Sequence, residues 1–207
     1  MQIADTVFLV VIIIFSAIIH EVMHGVAADR LGDPTARYAG RLTLNPVSHL
    51  DPFGSVILPL IFALSHSPIF FGWAKPVPYN PYNLKAGRFS EAIVAGAGPF
   101  SNIVLAFFGG IVIRTGVLTM ADDILFLIVV VNVMLCIFNL IPIPPLDGSK
   151  VLESLLPGSF QRNYANWRRQ LEQQPFLGFG IVILIIYFLG GAFSTFIYSI
   201  ASAIAGV

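Results

Sequence analysis

His20-Glu21-Val22-Met23-His24 sets two imidazoles four positions apart, with a carboxylate beside the first. On a helix, side chains four apart share a face, so both rings can bind one divalent ion. Glu21 then projects next to that ion, where its carboxylate can polarise a water. Together these are the donors of a mononuclear zinc site built for hydrolysis. A plainer reading makes the histidines satisfied members of a packed core. It is weak here, because the motif falls in an apolar run of membrane length. Ionisable groups at that depth cost several kcal/mol each and normally mark function.

A catalytic zinc takes three protein ligands and keeps a fourth position for water. The third ligand must share the depth of the histidines. Asp147 is the candidate, in Asn139-Leu-Ile-Pro-Ile-Pro-Pro-Leu-Asp147-Gly148, directly after a later apolar run. Pro142, Pro144 and Pro145 end that helix and hold the backbone extended, and Gly148 permits a turn that the aspartate can use. The alternative is a proline-rich helix exit with a solvated carboxylate. His49 could approach the metal or a substrate, or be an ordinary loop histidine; His66 receives no role.

The elements that must position these residues follow from composition and run length. Of 207 residues, 57% are hydrophobic and 11% charged, with mean hydropathy +0.85. A soluble domain carries about 25% charged residues, so the shortfall points to the bilayer as solvent. Net charge is zero, which gives no global basic field for nucleic acid. The single cysteine, Cys136, cannot form an intramolecular disulfide. The N-terminal run lacks a basic leader and a small-residue cleavage site, so it reads as a retained span.

The expected fold is all-α and polytopic. Spans are expected at Val7–Ala28, Ala92–Val117 and Ile124–Ile143, with a further apolar stretch at Phe176–Val207. Gly190 and Gly191 interrupt that last stretch, which reads as a fourth span followed by an interfacial helix. Val56–Phe71 is short and broken by Pro59 and Pro68, so it reads as re-entrant rather than spanning. Gly72–Leu84, rich in proline, is expected to be extended, offering an edge for strand addition by a substrate or an interfacial loop anchored by Trp73, Tyr79 and Tyr82. No repeat or second soluble domain is visible, so residues 1–207 read as one membrane-embedded domain.

Charge placement sets the orientation. Arg30, Arg37, Arg41, Lys75, Lys85 and Arg88 lie between the first two spans, and Lys150, Arg162, Arg168 and Arg169 follow the third. Only Arg114 is near the short link that holds Asp122 and Asp123. The positive-inside rule makes both basic loops cytoplasmic, and with them the metal site.

At this point the sequence resembles the site-2 protease family of intramembrane zinc metalloproteases. The resemblance rests on His20-Glu21-x-x-His24 within a span and on Asn139-x-x-Pro142-x-Pro144-x-Leu146-Asp147-Gly148 after a later one. Between them stands Ala97-Gly98-Pro99-Phe-Ser-Asn102, and Phe71-Gly-Trp-Ala-Lys-Pro-Val-Pro also resembles short members. It implies one Zn2+ per chain on His20, His24 and Asp147, with Glu21 as general base. It further implies that Asn102 is catalytic, donating a hydrogen bond to the substrate backbone or oxyanion, or is otherwise polar glue between spans. Asn139 would orient the Asp147 loop or cap backbone groups. The implied substrate is a membrane protein with a transmembrane helix locally unwound at the cleavage point. No PDZ insertion or C-terminal regulatory module is visible, so this is a minimal form, expected in a prokaryotic plasma membrane.

Two other classes compete. A metal-transporting membrane protein would need ligands at more than one depth, and a second intramembrane cluster is not visible. An inactive relative that merely grips membrane segments would have no use for Glu21.

Overall fold

Membrane-spanning chains satisfy backbone N–H and C=O groups within the segment, and the long apolar runs here do so as helices. The computed structural model describes residues 3–57, 61, 75–85 and 87–207. Its helices are α1 (Ile3–Arg30), α2 (Thr35–Tyr38), α3 (Ser90–Thr115), α4 (Asp122–Asn139), α5 (Asp147–Leu155), α6 (Gly158–Glu172) and α7 (Pro175–Ala205). No strand occurs among the described residues. Among the described residues, three stretches, 7–30, 87–115 and 119–139, are long and apolar enough to cross a bilayer.

α3 is central and packs against α1, α4, α5 and α7. Ala106, Ile113, Val129, Val133, Ile197, Ala201 and Ala205 form the core where α3, α4 and α7 meet. Three alanines, Ala106, Ala201 and Ala205, sit in this seam, where small residues let membrane helices approach closely. Phe8, Val11 and Phe15 of α1 and Phe100, Phe107 and Phe108 of α3 are exposed, as lipid-facing side chains should be.

Helix ends follow local chemistry. α1 stops at Leu31–Gly32: Gly32 takes φ +103°, and the Asp33 N–H returns to the Ala28 carbonyl. α4 ends at Asn139, short of the expected Ile143, because Pro142 lacks the donor that another turn needs. Pro99 lies inside α3 without ending it; neighbouring groups in a membrane bundle can re-satisfy the freed carbonyls.

The C-terminal stretch differs from expectation. α7 runs unbroken through Gly190 and Gly191 for 31 residues, about 46 Å, instead of dividing into a span and an interfacial helix. In an apolar medium a glycine pair has no water to offer its backbone an alternative partner, so the helix persists. The hydroxyls of Ser194 and Thr195 add bonds to the Gly191 carbonyl. The re-entrant expectation for Val56–Phe71, His66 and Trp73 lies outside the described residues except at 56, 57 and 61. On either side of it, the Lys75 N–H donates to the His49 carbonyl at 2.9 Å, so the two flanks meet.

Two charged groups tie the loops to the bundle. Arg168 of α6 is buried and pairs with Glu153 of α5 (2.5 Å), Glu172 (2.7 Å) and Glu91 of α3 (3.8 Å). Asp33 is fully buried and its carboxylate accepts from the Thr35 hydroxyl, the Asn80 N–H (2.6 Å) and the Asn83 amide (2.8 Å). Burial alone would raise its pKa, but those donors outweigh it and hold the carboxyl below its ordinary range. A depressed folded pKa supplies stability that is full above the unfolded value, about 4, and is lost as pH falls through the folded one. In detergent, the melting temperature should therefore drop below about pH 4. Asp33→Asn should start lower at pH 7 and show a flatter acid limb.

Candidate metal centre

His20 and His24 lie in the half of α1 that packs against the N-terminal half of α3, where their rings stand edge to face with centroids 4.7 Å apart. Both are buried. His20 Nδ1 is 2.5 Å from Asn102 Oδ1, and His24 Nδ1 is 2.7 Å from the Val94 carbonyl. With oxygens as acceptors, each Nδ1 is the proton-bearing nitrogen, which leaves Nε2 of a neutral ring free to take a metal. The Nε2 atoms face Asp147 Oδ2, at 3.0 Å from His20 and 3.2 Å from His24.

Asp147 is the first residue of α5, where the helix dipole favours a carboxylate. Gly148 serves a different purpose from the expected turn. It lies inside α5, and a Cβ there would come within 2.1 Å of the Leu140 carbonyl oxygen. Lack of a side chain lets α5 start directly against the end of α4. Tyr164 of α6 donates its hydroxyl to the Pro142 carbonyl at 2.8 Å and braces the same loop. Burial, with Glu153 adding and Arg168 opposing, pushes the Tyr164 hydroxyl up to about 12, so it remains a donor through the physiological range. The Arg88 guanidinium donates to the Ser154 and Leu156 carbonyls and caps the far end of α5.

The donor set fits a metal. Ligands about 2.0–2.1 Å from a tetrahedral ion stand about 3.3 Å apart, close to the two nitrogen–oxygen separations here, and the three ligand atoms all lie within 4.8 Å of one another. Gly98 keeps the space clear: a Cβ at that position would sit 2.6 Å from His20 Nε2 and 2.5 Å from His24 Nε2. The Gly-Pro-x-x-Asn stretch of α3 thus has a physical reading. Gly98 makes room at the ligand atoms, and Asn102, one turn on, fixes the His20 ring.

Asn102 is wholly buried and both ends of its amide are engaged. Its nitrogen donates to Asn132 Oδ1 at 2.9 Å and lies 3.4 Å from the Ser16 carbonyl. Asn132 in turn donates to the Ser16 hydroxyl at 3.0 Å. The bonds of Asn102 therefore run to His20 and to neighbouring helices. Glu21 is half-buried and its Oε2 accepts the Val77 N–H at 2.9 Å. Asn139 donates its side-chain amide to the Leu135 carbonyl four residues back, within its own helix. His49, also buried, uses Nε2 on the Thr43 carbonyl and is outside the ligand group.

Sequence reasoning passed over Ser16 and Asn132, although polar side chains within apolar runs are a usable signal. The Val94 carbonyl has no signal, since backbone groups are common to every residue, and the Val77 N–H is marked only by the prolines on either side of it.

Residues 113–186 match the family described as Peptidase family M50. Among curated relatives, YwhC of Bacillus subtilis (strain 168), named "Putative zinc metalloprotease", is 36% identical over 190 residues, 87% of this chain and 80% of the relative. Rip2 of Mycolicibacterium smegmatis bears the same descriptor and is 34% identical over 193 residues, 87% of this chain and 67% of its own length. Rip2 of Mycobacterium tuberculosis (strain H37Rv) is 28% identical over 186 residues, 84% of this chain and 63% of the relative. No solved structure matches.

Gly98→Val should abolish stoichiometric metal binding, measured by elemental analysis of purified protein, because its side chain fills the space between the ligand atoms. Asn102→Ala should weaken metal affinity about 10–100-fold, the usual cost of losing a partner that orients a ligand. Asn139→Ala should leave it within about twofold, since Asn139 touches no ligand.

Proposed function

The chain belongs to peptidase family M50, the site-2 protease group, and from that premise we propose that it hydrolyses membrane-embedded peptide segments with one zinc held by His20, His24 and Asp147. The observation that carries this reading is the approach of Asp147 Oδ2 to 3.0 and 3.2 Å from two Nε2 atoms on another helix, with Glu21 beside the first of them. Bound there, zinc supplies Lewis acidity toward a scissile carbonyl and makes water acidic enough to attack near neutral pH.

The chain's own residues supply the rest. His20 and His24 present fixed lone pairs, because Asn102 and Val94 occupy their other nitrogens. Glu21 acts as general base, taking the proton of the attacking water on Oε1 while Oε2 stays with the Val77 N–H. It then returns that proton to the departing amine. Asn102 acts through His20, as a residue that positions a ligand.

The protein is an integral membrane protein whose substrates lie in the membrane. We take them to be transmembrane helices locally unwound at the cleaved bond, since a peptide still in helical hydrogen bonding hides its carbonyl carbon. We take the site to face the cytoplasm. What supports that is charge: ten of the eleven Lys and Arg residues belong to the loops at the metal end of the bundle. Arg114 is at the other end, with its guanidinium on the Ala203 and Ile204 carbonyls. A transport reading is disfavoured, because among the described residues His20, His24 and Asp147 form the one group able to hold an ion.

Glu21→Gln should retain zinc stoichiometry and lose cleavage of a transmembrane reporter by at least about a hundredfold in detergent. For orientation, an impermeant maleimide applied to intact cells should label Met120→Cys and spare Tyr82→Cys. Both positions are exposed, and they lie at opposite ends of the bundle.

A further inference from the structure

Glu21 is met by a stretch of chain whose sequence leaves it a single donor to offer. Residues 75–80 carry no regular structure and read Lys75-Pro76-Val77-Pro78-Tyr79-Asn80. Pro76 and Pro78 have no N–H, so Val77 is the only backbone donor across those three positions. Each proline also holds its predecessor extended, which fixes the direction of that N–H. It points at Glu21 Oε2, 2.9 Å away.

Val77 is seated and the stretch around it is tied at both ends. Val77 is 6% exposed and its side chain lies over Gly25, where a Cβ would come within 2.8 Å of Val77 Cγ1. Gly25 is four residues beyond Glu21, on the same face of α1. Upstream, the Lys75 N–H bonds the His49 carbonyl, and the buried Arg41 guanidinium donates to the Lys75 carbonyl at 2.6 Å. Downstream, Asp33 collects the Asn80 N–H and the Asn83 amide.

We infer that the Val77 N–H is a positioning group for the general base. It holds one carboxylate oxygen of Glu21 so that the other is aimed at the reacting water, and Gly25, Arg41 and Asp33 act through it. This rests on the reading of Glu21 as the base. A carboxylate on three rotatable bonds samples many orientations, and a charge-assisted bond from a rigid donor selects one. Misplacement by about 1 Å is enough to cost a hundredfold in rate.

The test compares two full-length variants in detergent with a transmembrane reporter. Val77→Pro deletes the N–H and keeps an extended backbone; Val77→Ala loses side-chain bulk but keeps the N–H. Zinc stoichiometry should match in the two and KM should agree within about twofold, while kcat of Val77→Pro should fall about 10–100-fold below that of Val77→Ala. A second measurement needs neither metal nor turnover. Amide exchange at Val77, followed by NMR on the metal-free protein, should be slow in wild type and at least about tenfold faster in Glu21→Ala.

Equal kcat in the proline and alanine variants overturns the inference. So does kcat in Val77→Pro above wild type, which would make the contact a brake, or zinc loss or a raised KM confined to Val77→Pro. Unchanged Val77 exchange in Glu21→Ala overturns it even if the proline variant does not fold. Failure of the underlying reading looks different: Glu21→Gln would then turn over at the wild-type rate, whatever Val77→Pro does.

Discussion

Inside a bilayer a polar side chain has no water to turn to, so its partner must come from the protein. That constraint organises this molecule. Ser16, Asn132, Asn102 and His20 form one buried chain of hydrogen bonds across α1, α4 and α3. Each member would be costly alone at this depth. Linked, they set the rotation of three helices at once, because a slip of any one would strand two polar groups. The proposed metal ligands inherit that precision: His20 ends the chain, and His24 repeats the logic one turn on with a backbone carbonyl.

The third proposed ligand, Asp147, arrives by a different physical route. α5 lies outside the three long apolar stretches, and charge, rather than apolar burial, fixes it. Arg168 binds three carboxylates from α3, α5 and α6, while Arg88 takes the carbonyls at the far end of α5. Tyr164 braces the proline loop and Gly148 lets α5 begin against α4. A rigid polar bundle and an ion-paired cap therefore meet at Asp147. The opposing faces of α1 and α3, dressed with phenylalanine and valine, are left to lipid.

Much of this was legible in the sequence, and the reasons are specific. The histidine pair is visible because the helical period alone puts the two rings on one face. Asp147 is visible because span counting brings the ends of α1 and α4 to one level, and prolines mark where α4 must stop. The direction of Asn102 is not, since an asparagine in a span has the same signature whether it serves a substrate or a histidine. Nor is the continuity of α7: glycine weakens a helix in water, and the compensating effect of an apolar medium is not carried by the residue itself. The contact between Val77 and Glu21 joins residues 56 positions apart through a backbone group, and periodicity is silent on such pairs.

Two imidazoles from α1 and one carboxylate from α5 are proposed to share a single zinc ion. X-ray absorption at the zinc edge of the purified protein tests it directly. One zinc per chain is expected, with about four nitrogen or oxygen neighbours near 2.0 Å and outer-shell scattering from two imidazole rings. Sulfur in the nearest shell, scattering from fewer than two imidazoles, or an Asp147→Ala spectrum identical to wild type would contradict it.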